Sequence, residues 1–195
     1  MIFEAAQELF RAKGFDAVSV AEVARAADVS EVTVFNYFPA KEDLFYGGMQ
    51  YFEEELLEAV RTRPRGDSAI KAFRQRLLES TDRLRTKERI AGILKAAEAI
   101  NTSPTLVARE RDIVERYTRR LAELLAAETQ SRPDDVEPLA VAATLIGTHR
   151  AIVQHVRRRV REGRRGAALV EETKAEVRRA FGRIERGLGD YAIRT

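Results

Sequence analysis

Between residues 31 and 41 the chain reads Glu-Val-Thr-Val-Phe-Asn-Tyr-Phe-Pro-Ala-Lys. At helical spacing Val34 and Phe38 fall on one face, and Glu31, Thr33, Asn36 and Tyr37 are left on the other. That outer face offers hydroxyls, an amide and a carboxylate. Hydroxyls donate to phosphate oxygens, an amide pairs with a base edge, and a carboxylate accepts from a cytosine amino group. Lys41, just past Pro39, places a cation at the start of the next helix, where ammonium and helix N-terminus would meet a phosphate together. A short amphipathic helix with polar outer residues is also what a solvated face looks like, so its neighbours must decide between the two.

Other reactive chemistry is sparse. His149 and His155 are six apart, too far round one helix for the i, i+4 pair a metal prefers, and they read as packing or polar residues. The chain has no cysteine, which excludes disulfides and thiolate metal sites. The carboxylate runs Glu53-Glu54-Glu55, Asp134-Asp135 and Glu171-Glu172 read as solvated charge at helix starts or on outer faces. Paired acid and base groups and glycine-rich phosphate loops are missing from the sequence, so no enzyme, catalytic residue, metal or cofactor is expected.

The elements that hold Glu31 to Lys41 in place are helices throughout. Apolar residues recur at three and four, proline is scarce, and no period-2 alternation is sustained. Ile2, Ala6, Leu9 and Phe10 form the face of a first helix that stops at Gly14, expected in the αL conformation. Ser19-x-x-Glu22 is a capping box opening a second helix, whose inner face is Val20, Val23, Ala24 and Ala27. Asp28-Val29-Ser30 makes a tight connection, Ser30 caps a third helix from Glu31 to about Phe38, and Pro39 ends it. Val34 and Phe38 point inward with Val29, Val23 and Leu9. A fourth helix runs from Lys41 to about Arg63, and Pro64 to Asp67 forms a loop. Further helices are expected at about 68–84, 87–100, 104–129, 134–161 and 167–188, with boundaries at Thr86, Ser103-Pro104, Pro133-Asp134, Gly163 and Gly166. The fold class is therefore all-α, about nine helices: a small three-helix unit followed by a larger helical bundle.

Charge argues less than placement does. The net charge is +3, yet residues 1–46 hold four basic residues against eight acidic ones. No run approaches the roughly 18 apolar residues of a membrane span, and neither a signal peptide nor an anchor is evident, so a cytoplasmic location is expected.

Two short helices joined by a three-residue turn and braced by a third make a helix-turn-helix, whose second helix enters the DNA major groove. The stretch from Gly14 to Ala24, Gly-Phe-Asp-Ala-Val-Ser-Val-Ala-Glu-Val-Ala, and then Val29 to Leu44, Val-Ser-Glu-Val-Thr-Val-Phe-Asn-Tyr-Phe-Pro-Ala-Lys-Glu-Asp-Leu, resembles the N-terminal domain of TetR-type regulators over roughly 45 residues. The resemblance implies Thr33, Tyr37 and Lys41 as phosphate contacts and Glu31, Val32 and Asn36 as positions that face bases, with Ser30 beside them at the helix start. Three departures stand out. Asp28 occupies a turn position usually held by glycine, Phe35 one usually held by tyrosine, and the sequence begins almost inside its first helix, so that the basic arm that often precedes it is either missing or cut off by the start.

The resemblance also divides the chain into a DNA-binding domain, 1–46, and an effector-binding and dimerisation domain, 47–195. Near-heptad stripes run along the last two helices: Ala142, Leu145, His149, Ile152, Val156 and Val160, then Val170, Thr173, Val177, Phe181, Ile184 and Leu188. The expected homodimer interface is Ile152, Val156, Val160, Val170, Val177, Phe181, Ile184 and Leu188, the alternative being that both stripes face only the chain's own core. Dimerisation makes mechanical sense, because two short recognition helices on a twofold axis read a palindrome in double-stranded DNA. The implied effector pocket lies among the middle helices, walled by Phe73, Leu77, Ile90, Ile93, Leu94, Ala97, Ile113, Tyr117 and Leu121, with Thr148 and His149 as polar guests. The effector implied is small and apolar or acyl-CoA-like, the latter because Arg157, Arg158, Arg159, Arg161, Arg164 and Arg165 offer guanidiniums to phosphates. By linkage, an effector favouring badly spaced recognition helices weakens DNA affinity. The competing reading is a helical protein-interaction module with weak or lost DNA binding.

Overall fold

The computed structural model describes residues 1–132, 134–188 and 191–193. Among these the chain is helical and no strand forms. The helices are α1 Ile2–Lys13, α2 Val20–Ala26, α3 Glu31–Tyr37, α4 Lys41–Arg61, α5 Ala69–Ser80, α6 Lys87–Thr102, α7 Pro104–Thr129, α8 Glu137–Arg161 and α9 Gly166–Leu188, with a 3₁₀ turn at Thr81–Arg85 after α5.

The all-α expectation holds, and the departures have local causes. The helix expected through residue 84 tightens at its end, where Ser80 Oγ donates to the Leu77 carbonyl (2.7 Å) and Thr81 Oγ1 to the Leu78 carbonyl (2.6 Å). Hydroxyls bonding back to the last carbonyls favour the narrower turn. The helix expected from residue 134 begins at Glu137: Val136 is its N-cap and makes no side-chain bond, while the Asp135 carboxylate accepts the Glu137 N–H (3.1 Å) from the turn before it. Pro133, part of that expected boundary, lies outside the described residues. Gly14 has φ 84° and ψ 157°, so it is not αL but in an extended positive-φ region that is essentially reserved for glycine.

The chain divides into two compact units. The first comprises Met1–Phe52 and, unforeseen in the sequence, Lys95–Asp112. Its core is Ala6, Phe10, Phe15, Val18, Val23, Ala24, Val34 and Leu44. The rings of Phe10 and Phe15 lie 5.2 Å apart, and Phe45 meets Phe15 edge-on at 5.5 Å. Gly47 of α4 lies under the Phe3 ring of α1, where an added Cβ would come within 2.7 Å of the ring and push it aside. Polar bonds tie in the later segment. Tyr46 Oη donates to the Leu106 carbonyl (2.9 Å), the Arg109 guanidinium to buried Asp43 Oδ1 (2.6 and 2.9 Å), and Lys95 Nζ to the Arg11 carbonyl (3.0 Å).

The second unit, Glu53–Leu94 with Ile113–Thr195, has a core that includes Leu56, Leu57, Val60, Phe73, Leu77, Ile113, Leu121, Leu125, Leu145 and Phe181. Arg63, its side chain 1% exposed, grips Glu128 with both guanidinium nitrogens (3.0 and 2.5 Å) and donates to the Asp67 and Ala192 carbonyls (3.0 and 2.7 Å). A buried guanidinium persists when its donors are met in this way.

Candidate nucleic-acid interface

The scaffold under α3 is built from caps. Ser19 Oγ accepts the Glu22 N–H (3.1 Å), and Glu22 reaches back to the Ser19 N–H (2.9 Å), completing the expected box. Lys13 Nζ donates to the same Glu22 at 2.7 Å, and this bond together with the Ser19 N–H holds the Glu22 carboxyl down at about 2. α2 then ends in a Schellman motif: the Val29 N–H bonds to the Ala24 carbonyl and the Asp28 N–H to that of Arg25. This requires a left-handed residue, and Asp28 supplies it with φ 54°. The expectation that aspartate serves where relatives use glycine is met.

Ser30 caps α3 as expected, accepting the Thr33 N–H at 3.1 Å, and its hydroxyl also bonds the Thr33 hydroxyl at 2.9 Å. Val34 is fully buried, Phe38 and Val29 are half-buried, and Glu31, Val32, Phe35, Asn36 and Tyr37 are exposed. Tyr37 keeps 73% of its surface and Val32 70%, although large apolar groups ordinarily find cover. Thr33 is half-buried. Lys41 is half-buried too: its Nζ lies 4.3 Å from the Phe15 ring centre and donates to the Asp16 carbonyl at 3.4 Å. The charge is thereby held at the start of α4. Ser30, Glu31, Val32, Thr33, Asn36, Tyr37 and Lys41 thus lie on α3 and at the head of the helix after it, and all belong to the first unit.

The residues expected to wall an effector pocket are less uniform. Phe73, Leu77, Ile90, Ile113, Tyr117 and Leu121 are buried in the second unit, and Ile93, Leu94, Thr148 and His149 are half-buried there. Ala97 belongs instead to the first unit. Ile90, Ile93 and Leu94 pack with Leu84, Val156, Val160, Leu169 and Val170 as solid core. The His149 ring stands edge-on to Phe73 at 6.4 Å, and enclosure among apolar groups pushes the imidazole down to about 4.

The expected dimer interface requires correction. Val156, Val160, Val170, Val177 and Phe181 are buried inside the single chain, between 0 and 6% exposed, so they have no surface left for a partner; Ile152, Ile184 and Leu188 are half-buried. A heptad stripe marks a covered face without saying what covers it. The outer face of α8 carries small residues instead, Ala140, Ala143, Gly147 and Ala151, and that of α9 carries Ala168 and Ala175 with half-buried Gly182.

Two further readings change. Much of the arginine run is already occupied: Arg159 bonds Glu162 and Glu172, Arg164 lies 3.8 Å from Glu172, and Arg165 donates to the Val160 carbonyl (2.6 Å). Of Glu53-Glu54-Glu55, Glu54 pairs with Arg120, and Glu55 with Arg76 and Arg83, but Glu53 is buried at 4% exposure. Its spacing before Leu56, Leu57 and Val60 puts it on the apolar face of α4, a signal that reading it as one of three glutamates obscured.

Two family models match the chain: Bacterial regulatory proteins, tetR family, over residues 2–46, and MftR C-terminal domain over residues 67–185. MftR of Mycobacterium tuberculosis (strain ATCC 25618 / H37Rv), a candidate transcriptional regulator of mycofactocin biosynthesis, is 27% identical over 161 residues, which is 79% of this chain and 77% of that protein. Among solved structures, a SmeT–triclosan complex is 16% identical with a TM-score of 0.56, covering 95% of this chain and 88% of SmeT. NalD of Pseudomonas aeruginosa, the secondary repressor of the MexAB-OprM multidrug efflux pump, is 22% identical with a TM-score of 0.51, covering 95% and 92%. Among the described residues no helix is long and apolar enough to cross a membrane. The head motif, the helical order and a family model spanning well over half the sequence converge: the chain belongs to the TetR family of bacterial transcriptional regulators, with a DNA-binding helix-turn-helix at its N-terminus.

Proposed function

We propose that the chain is a repressor that binds a palindromic operator as a homodimer and is released by a small apolar or amphipathic effector. The observation that carries this reading is the outer face of α3, where Tyr37 and Val32 stand uncovered beside Glu31 and Asn36 while Val34 closes the core beneath them. Thr33, Tyr37 and Lys41 hold phosphates, and Glu31, Val32 and Asn36 face base edges. Residues 1–46 act as the DNA-binding domain and residues 47–195 carry effector binding and dimerisation. SmeT in complex with triclosan and NalD as an efflux-pump repressor support the effector and the repression. An acyl-CoA-like effector has less support, since Glu162, Glu172 and the Val160 carbonyl already engage several of the arginines.

The dimer forms through the small-residue faces of α8 and α9. Glycine inside a helix costs about 1 kcal/mol relative to alanine. At Gly147 a Cβ would meet nothing within 4 Å, so packing inside the chain does not demand glycine there. A partner helix approaching closely does.

The test is a gel-shift titration of the full chain on the DNA flanking its own gene, run beside light scattering. The wild type gives a dimer and a sequence-specific shift; Gly147→Leu gives a folded monomer with the shift lost. The acidic balance of residues 1–46 favours a second reading, an interaction module of the same fold, and the absence of any specific shift at low salt decides for it.

A further inference from the structure

Two buried polar atoms of the second unit have no hydrogen-bond partner on α4 and α7: Glu53 Oε1 and Tyr117 Oη. Glu53 is 4% exposed and Tyr117 2%. Both sit in apolar surroundings, Glu53 ahead of Leu56 and Leu57, and Tyr117 between Ile113 and Leu121. Leaving a buried donor or acceptor unmet costs about 1–3 kcal/mol each. The flanking glutamates show what ordinary use looks like here: Glu54 is bonded by Arg120, and Glu55 by Arg76 and Arg83. Burial raises the Glu53 carboxyl to about 7, and the Tyr117 phenol is pushed up by its own burial and by the carboxylate of Glu53. The two groups thus feel each other without being bonded.

We infer that Glu53 and Tyr117 form the polar end of the effector site and take the hydroxyl of an otherwise apolar alcohol, which donates to Glu53 Oε1 and accepts from Tyr117 Oη. The inference rests on the effector reading above. An unmet acceptor beside an unmet donor calls for a group that is both, which a hydroxyl is. A carboxylate has no proton to give to Glu53 Oε1 and, wherever Glu53 is ionised, meets it as a like charge, so the comparison is made above about pH 7. An ammonium has no lone pair for Tyr117 and adds charge near Arg116 and Arg120, whose fields already act on Glu53. Leu56, Leu57, Ile113 and Leu121, core residues of the same two helices, are the apolar side chains that a hydrocarbon chain or ring would pack against.

The test displaces N-phenyl-1-naphthylamine, a neutral apolar dye, from the full-length protein with 1-decanol, decanoate or decylammonium. Decanol competes about tenfold better than either charged homologue, as one satisfied pair of hydrogen bonds implies. Glu53→Leu and Tyr117→Phe, which both remove an unmet polar atom and so keep the fold, each lose that preference while still binding the dye. Glu53→Gln, whose amide oxygen still accepts, retains it. Dye binding with no preference for decanol, or with a preference that Glu53→Leu and Tyr117→Phe leave unchanged, overturns the hydroxyl site and leaves the effector reading standing; water alone then fills the gap. Failure of the wild type to bind the dye and all three probes overturns both.

Discussion

Tyr37 concentrates the chemistry of the outer face in one side chain. Its ring rests on no core residue closely enough to be covered, and its hydroxyl is free to find a phosphate. On the proposed reading, Tyr37→Phe removes one hydrogen bond to a charged phosphate per protomer, about 1.5 kcal/mol each at the low end, or about 150-fold in affinity for a dimer. Gel shifts at several salt concentrations check this. The loss is uniform across operator sequences and leaves the salt slope unchanged, because no ion pair is removed; Lys41→Ala instead flattens the slope. Equal salt slopes for Lys41→Ala and the wild type would remove Lys41 from the interface.

At the scale of elements, the α2–α3 turn is where one residue decides geometry. Asp28 holds φ 54° so that the Schellman bonds to Ala24 and Arg25 can close. Asp28→Gly relieves left-handed strain and is neutral or stabilising, whereas Asp28→Val costs about 1–2 kcal/mol, read as a lowered melting temperature. An unchanged melting temperature in Asp28→Val would show that the turn tolerates other conformations. Turns and caps of this kind were legible in the sequence, because Ser19, Ser30 and Asp28 act on backbone groups within a few residues of themselves. The second-unit core was legible as periodicity, but its role was not. The stripes through Val156, Val160, Val170, Val177 and Phe181 say only that a face is covered, and the cover is the chain itself. The small-residue faces of α8 and α9 carry no hydrophobic signal to find. Likewise the joining of Lys95–Asp112 to the head depends on Asp43–Arg109, a pair 66 positions apart that no local pattern encodes.

For the molecule as a whole, two titratable groups, buried Glu53 and half-buried His149, pull stability in opposite directions. Glu53 titrates at about 7 in the folded chain against an ordinary 4.5, so between those values the native state binds more protons than the unfolded one and stability falls as pH rises. His149 titrates at about 4 against an ordinary 6.5, so there the unfolded state binds more protons and stability rises with pH. Each effect is at most about 3.4 kcal/mol, and they offset between about pH 4.5 and 6.5. Urea unfolding from pH 4 to 8 should therefore be nearly flat for the wild type over that window. Glu53→Gln uncovers the rise and His149→Phe the fall; three parallel profiles would contradict both assignments.

The internal covering of the α8 and α9 stripes has a consequence for the life of the protomer. Because Val156, Val160, Val170, Val177 and Phe181 are covered within one chain, each newly made copy can fold by itself before it meets a partner. For the dimer proposed above, dilution then parts two folded chains instead of unfolding them, and subunits exchange between dimers without passing through an aggregation-prone state.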